Sequence, residues 1–202
     1  MSKLITSLAV LALSTAAQAT TFKSDPAHSK AGFSAKRMMV STVRGELGPV
    51  TSTLEVDDKD LTKSKVEATV DITKINTSVE KRDTHLKSPD FFDAAKFPNL
   101  TFKSKKIEKA GDKYKVTGDL TIKDKTKEVV LEATISPEVL NPFSKIPTRG
   151  VSATGTINRE DFGLSWNMPV GDGFLVSKDI KIELDVEYAK EDGKAAAPAP
   201  KK

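Results

Sequence analysis

The chain holds two histidines, each within three residues of an aspartate. His28 closes Asp25-Pro26-Ala27-His28 and is followed by Ser29; His85 closes Arg82-Asp83-Thr84-His85 and precedes Ser88 by three residues. A histidine oriented by an aspartate beside a hydroxyl is the arrangement that activates a nucleophile. The frame that would present such a serine, a Gly-x-Ser-x-Gly elbow or an equivalent, is absent from the sequence. Two histidines and two aspartates could also ligate zinc, yet no His-x-x-x-His or other paired spacing occurs. No metal, no cofactor and no catalytic residue is therefore expected. Both histidines read more simply as hydrogen-bonding residues that tie a strand start or a loop, with the rim of a ligand pocket as the alternative. Arg82 and Asp83 carry the same two readings, an ion pair or loop clamp on one side and a headgroup contact on the other. His28, Arg82, Asp83 and His85 are the candidate polar residues, and they converge on one mouth only if both segments lie at the same end of the fold.

The elements that must position them are strands. Val66, Ala68, Val70 and Ile72 alternate with Lys65, Glu67, Thr69 and Asp71, and the same period of two runs through Tyr114 to Ile122, Val129 to Ile135 and Ile180 to Tyr188. Less regular strands are expected at Phe22 to Asp25, Ser29 to Val40, Val43 to Val56, Asn99 to Ile107 and Arg149 to Asn158. Alternation stops between Arg82 and Asp93, which reads as a turn-plus-helix insert, with Ser88 capping a short helix that has Pro89 in its first turn. Every strand has one charged face, and no helix is apolar enough to cover a sheet. The apolar faces must therefore meet one another, which predicts an all-β fold: an antiparallel barrel of about eight strands, with a two-sheet sandwich as the alternative.

Met1 to Ala19 has Lys3, an apolar run from Leu4 to Leu13 and Ala17-Gln18-Ala19, the pattern of a cleaved export signal. That run is too short to span a bilayer, and no later segment reaches the ~20 apolar residues required. The chain has no cysteine, so export without disulfides points to a periplasm. Its 202 residues carry a formal charge of +4, but lysines interleave with acids and lack aromatic company, which argues against a nucleic-acid partner. Residues 20–189 are expected to form one domain and residues 190–202, with Ala195-Ala196-Ala197-Pro198-Ala199-Pro200, a disordered tail. A homodimer stays open.

An eight-stranded barrel is just wide enough for its own side chains, so their size decides whether it has a lumen. Ala31, Ala35, Gly45, Ala68, Gly118, Ala133, Ala153 and Gly155 fall on or near the inward parity. A channel lined by such residues among valines and leucines suits a hydrocarbon chain better than water. The alternative is that the glycines mark bends and that Phe33, Phe91, Phe92, Phe97, Phe102 and Trp166 fill the space. The candidate lumen set is Phe33, Ala68, Val70, Phe92, Phe102, Gly118, Leu120, Ala133, Ala153 and Trp166.

Asp25-Pro26-Ala27-His28-Ser29, Phe33 with Val43-Arg44-Gly45, Arg82-Asp83-Thr84-His85-Leu86 with Phe91-Phe92-Asp93, Phe97-Pro98 with Phe102-Lys103-Ser104, Gly118-Asp119-Leu120-Thr121-Ile122, and Ile157-Asn158-Arg159-Glu160-Asp161-Phe162-Gly163 follow one another in this order. Together they resemble the signatures of the YceI-like family of secreted bacterial proteins, over nearly the whole expected mature chain. The resemblance implies an extended lipocalin-like barrel with a helical insert, holding a polyisoprenoid or other amphiphilic lipid. Two stretches depart from the pattern. Lys36-Arg37 stands where many members have a histidine, which bears on the polar end of the site, and Lys123-Asp124-Lys125-Thr126-Lys127 replaces a His-Gly-Val-Thr-Lys hairpin.

The function expected from residues and resemblance together is a periplasmic carrier or sequestering protein for a long-chain amphipathic lipid. A hydrolase of lipid-like esters and a non-catalytic protein-interaction module are the alternatives.

Overall fold

A computed structural model describes residues 19–191; the expected signal segment 1–19 lies outside these residues except for Ala19, and the expected tail 190–202 lies outside them except for Lys190, which ends the last strand, and Glu191. Five strands come first: β1 (Thr20–Ser24), β2 (Lys30–Arg37), β3 (Ser41–Gly48), β4 (Val50–Val56) and β5 (Lys65–Asp71). One helix, α1 (Glu80–Lys87), follows. Then come β6 (Asn99–Ala110), β7 (Lys113–Ile122), β8 (Lys125–Ile135), the short β9 (Val139–Leu140), β10 (Pro147–Asn158), the two-residue pair β11 (Pro169–Val170) and β12 (Gly173–Phe174), and β13 (Val176–Lys190).

Eight strands close a barrel in the order β13-β1-β4-β5-β6-β7-β8-β10, with β10 returning to β13, and all the pairings are antiparallel. The alternating stretches of the sequence are the strands of this barrel. Their outer faces carry cross-strand pairs such as Lys103 with Glu67 at 2.7 Å and Lys105 with Glu128 at 2.8 Å. Exposed pairs of this kind add little stability each, and they leave the apolar faces only the interior to occupy.

β13 is the hub. One edge pairs with β10 from Asp179 to Ala189; the other pairs first with β2 and then with β1. β1 and β2 thus follow each other along the same partner, interrupted where Asp25 caps a single turn at Pro26–His28. The stretch expected as one strand from Val43 to Val56 is likewise two strands, because Gly48 adopts φ 144° and Pro49 turns the chain. A Cβ at Gly48 would lie 2.0 Å from the Asp71 carbonyl oxygen, so no other residue fits this corner. Gly48→Ala is expected to destabilise the barrel by about 3 kcal/mol or more, through backbone strain and the displaced β5 end. Urea denaturation checks it, and an unchanged midpoint would refute the account.

Past this corner β3 diverges from β5, and a single bridge, Glu46 to Asn76, spans the seam. Residues 72–98 fill it, burying Ile72, Ile75, Phe91, Phe92 and Ala94 in the main core. The helix within this insert ends where it was expected to begin. Ser88 is its C-terminal cap, extended at ψ 169° as a residue before proline must be, so Pro89 stops the helix rather than starting it. The start is fixed from the preceding turn: Thr77 donates its N–H and hydroxyl to the Asp83 carboxylate, and Arg82 donates to the Thr77 hydroxyl and carbonyl. Glu80 in the first turn and Lys87 in the last suit the helix dipole. Among the described residues no helix is long and apolar enough to cross a membrane.

Candidate functional site

The barrel encloses a cavity of about 570 Å³ that runs nearly its whole length. Phe33, Ala68, Val70, Phe92, Phe102, Leu120, Ala133, Ala153 and Trp166 all line it. Many wall residues inside the barrel, among them Val66, Ala68, Val70, Leu120, Ile180 and Ile182, are only half-buried because the space beside them is empty.

Gly118 is the one member of the expected lumen set that does not line the cavity. Its inward position is covered by the Phe102 ring: a Cβ there would sit 2.5 Å from both that ring and the Lys103 carbonyl oxygen. The same device recurs at Gly45, under Phe33, and at Gly155, under Leu131. The small inward residues therefore divide by role. The alanines leave open space, whereas these glycines are vacated for a large neighbour.

The cavity reaches solvent where its wall residues are exposed: Lys36 and Arg37 at the end of β2, and Val79 and Lys81 at the start of α1. Arg82 and His85 also line this end. His85 Nε2 lies 2.9 Å from Asp90, and its ring packs edge-on against Phe91 and Trp166 with centroids 5.0 and 4.7 Å away. It is thus both a tie within the insert and part of the wall. Arg82 and Asp83 make no ion pair with each other within bonding distance; both clamp Thr77 instead. Asp83 does not line the cavity.

His28 does not line it either. It sits outside, beside Glu187, eleven residues along β13 from Val176 at the mouth, or roughly 35 Å at the rise of an extended strand. Its Nδ1 is 2.8 Å from Asp25, and Asp25, His28 and Glu187 bring three ligand-type atoms within 4.8 Å of one another. The hydrogen bond to Asp25 raises the His28 pKa above its ordinary value, and the bond from His28, helped by the Ala27 N–H, lowers that of Asp25. The His28 contribution to stability is complete below its unfolded value of 6.5 and is lost as pH rises through the higher folded value; the Asp25 contribution is lost as pH falls below 3.8 through its lowered one. The pair is thus strongest between these limits. An NMR titration of the two histidines is expected to give His28 a midpoint above 6.5, and a midpoint at or below that value would contradict the pairing.

Two buried polar groups in the wall had no place in the expected site. At the end away from the mouth, the Tyr188 hydroxyl donates to Ser52 at 2.7 Å, while Ser52 donates to the Glu67 carbonyl at 2.8 Å. Burial pushes the Tyr188 phenol above its ordinary pKa, with the Ser52 bond opposing. Nearer the mouth, Arg159 is 4% exposed. Its Nε donates to the Ser177 carbonyl at 3.0 Å and its Nη1 to the Leu164 carbonyl. Its Nη2 has no partner among the described residues. Burial lowers its pKa, and the neighbouring Glu160 opposes this. Arg159 stands in the motif Ile157-Asn158-Arg159, where a cation two residues after the apolar Ile157, and so on the same inward parity, was the available signal.

The YceI-like domain model matches residues 22–188. A UPF0312 protein of Staphylococcus aureus (strain MSSA476) is 38% identical over 171 residues, covering 84% of this chain and 98% of that protein. The crystal structure of the Campylobacter jejuni YCEI protein superposes with a TM-score of 0.66 at 32% identity, over 77% of this chain and 90% of that one. A polyisoprenoid binding domain from Saccharophagus degradans has the same fold, with a TM-score of 0.59 at 11% identity over 85% of this chain and 99% of that one. Since the matched residues span the closed barrel, its insert and its apolar cavity, the chain belongs to the YceI-like family.

Proposed function

We propose that this protein is an exported, periplasmic carrier or sequestering protein that holds a long-chain amphipathic lipid, polyisoprenoid or fatty-acid-like, in the barrel lumen. The observation that carries the reading is one continuous apolar cavity of about 570 Å³, open at a cationic rim. A water occupies about 30 Å³ of liquid and a methylene slightly less, so the cavity takes a chain on the order of twenty carbons. At ~0.8 kcal/mol per buried methylene, the gross gain is on the order of 15 kcal/mol, from which the ordering of a flexible chain is subtracted. The fold shared with the Saccharophagus degradans polyisoprenoid binding domain supports the same ligand class.

The geometry favours binding over catalysis. The His85 ring is engaged by Asp90, Phe91 and Trp166, and the His28 ring by Asp25; neither imidazole hydrogen-bonds a serine hydroxyl among the described residues, and the Ser88 hydroxyl donates to the His85 carbonyl instead. The test is native mass spectrometry of protein taken from its own periplasm, followed by lipid extraction. A co-purified long-chain lipid is the expected result. A protein that is empty as isolated and also fails to take up hexadecyl lipids would overturn the reading, and turnover of lipid esters would favour the hydrolase.

A further inference from the structure

The cavity wall is electrically one-sided. It includes Lys36, Arg37, Lys81, Arg82 and Arg159, and neither an aspartate nor a glutamate. Most of these cations stand at the rim in water or are tied to Thr77. Arg159 differs, because it is buried and no carboxylate lies within ion-pairing distance of it among the described residues. The nearest acid in sequence, Glu160, is held at 3.0 Å by Lys178. A guanidinium in such a place keeps its charge without a counter-ion, and buried charges in folded proteins are as a rule paired. Two of its donors brace the Ser177 and Leu164 carbonyls, which fixes the plane of the group, and Nη2 remains unmatched. Ser177 also receives the Lys36 N–H on its hydroxyl at 3.0 Å, so the buried cation and the rim meet at one residue.

We propose that the lumen selects lipids with an oxyanion headgroup, a carboxylate or a phosphate, and that Arg159 binds that headgroup. This rests on the lipid-binding reading above and adds the chemical class of the ligand's polar end. The apolar chain lies along the alanine-lined wall toward Tyr188. The headgroup stays at the mouth end, where its oxygen accepts from the donor that the protein leaves unmatched. From Nη2 the guanidinium donates a charge-assisted hydrogen bond to either oxyanion, which is stronger than the one a neutral alcohol oxygen accepts.

The experiment compares hexadecanoate, hexadecyl phosphate and hexadecan-1-ol, with inorganic phosphate as a chain-free control, by displacement of the neutral lumen probe N-phenyl-1-naphthylamine. The two anionic lipids are expected to bind about ten- to a hundredfold more tightly than the alcohol, the usual range for a hydrogen bond to a charged group. The preference should persist in high salt, because a buried cation is poorly screened. Arg159→Lys should lose most of it while still binding the alcohol. Lys36→Gln with Arg37→Gln, on the exposed rim, should keep most of it. If the acid, the phosphate and the alcohol bind wild-type protein equally, the proposal is wrong and the lipid reading survives; if none of the three binds, the lipid reading itself fails. A preference that vanishes in salt or in the rim variant, and not in Arg159→Lys, moves the headgroup to the rim and overturns the assignment to Arg159. Should Arg159→Lys fail to fold, the salt series and the rim variant decide the same question.

Discussion

Ala68→Phe is expected to weaken binding of a hexadecyl lipid by about a hundredfold while leaving the melting temperature unchanged or raised. Ala68 is half-buried inside the barrel, facing empty lumen between Ser52 on β4 and Phe102 on β6. A phenyl ring there displaces on the order of four ligand methylenes at ~0.8 kcal/mol each, or roughly 3 kcal/mol. It also buries itself without pushing on the wall, because the space it enters is unfilled. Gly118→Leu is the contrasting variant. Its Cβ alone would press on the Phe102 ring and the Lys103 carbonyl, so overpacking should cost about 1 to 3 kcal/mol or more before any effect on the ligand. Thermal melts paired with displacement titrations separate the two. A destabilised Ala68→Phe protein that binds lipid normally would mean that the cavity is not the binding site.

Phe92→Ala is expected to lower stability by about 3 to 5 kcal/mol, the usual cost of truncating a buried phenylalanine. For a domain of this size that corresponds to a drop in Tm on the order of 10 °C. Phe92 packs in the main core and also lines the cavity, where β3 and β5 have parted and the insert is the wall. No ladder of backbone hydrogen bonds spans that seam beyond the single Glu46 to Asn76 bridge, so side-chain packing from the insert carries the closure. Ligand should leave the variant faster than wild type. A loss of stability under about 1 kcal/mol, in the range of surface substitutions, would place the ring outside the core.

The barrel was legible in the sequence because its physics is local. Each strand shows its wet and dry faces directly, and charge on every outer face leaves closure as the way to hide the dry ones. The mouth was not legible. His28 lies just before β2, whereas Arg82 to His85 lie on α1 in the insert between β5 and β6, and in an antiparallel barrel the ends of successive strands alternate between two rims. β2 begins at the interruption beside Glu187, where β1 leaves off along β13, and runs to Arg37 at the mouth, so the residue that opens it is remote from the insert that follows β5. Register settles this, and register depends on pairings far apart in sequence. Gly118 failed for a related reason: inward parity is set by its own strand, whereas the ring that covers it comes from β6. The cationic wall was half legible. Lys36-Arg37 stood out as a departure from the family pattern, while Arg159 could be recognised as an unpaired cation only after burial and hydrogen bonds were known.

β13 gives the chain's assembly a fixed order in time. Its last residues hold the first strand, with Ser24 opposite Tyr188 and Phe22 opposite Lys190, and its stretch from Asp179 to Ala189 holds β10. Closure therefore joins the first and the last of the described strands, and topologies built on such distant contacts fold slowly, over milliseconds to seconds. A ribosome that has released everything up to Phe174 has produced strands with no closing partner. The nascent chain must stay open until its final fifteen-residue strand emerges. That delay makes the moment of release, with two unpaired sheet edges in the open, the point at which the protein is most exposed to aggregation.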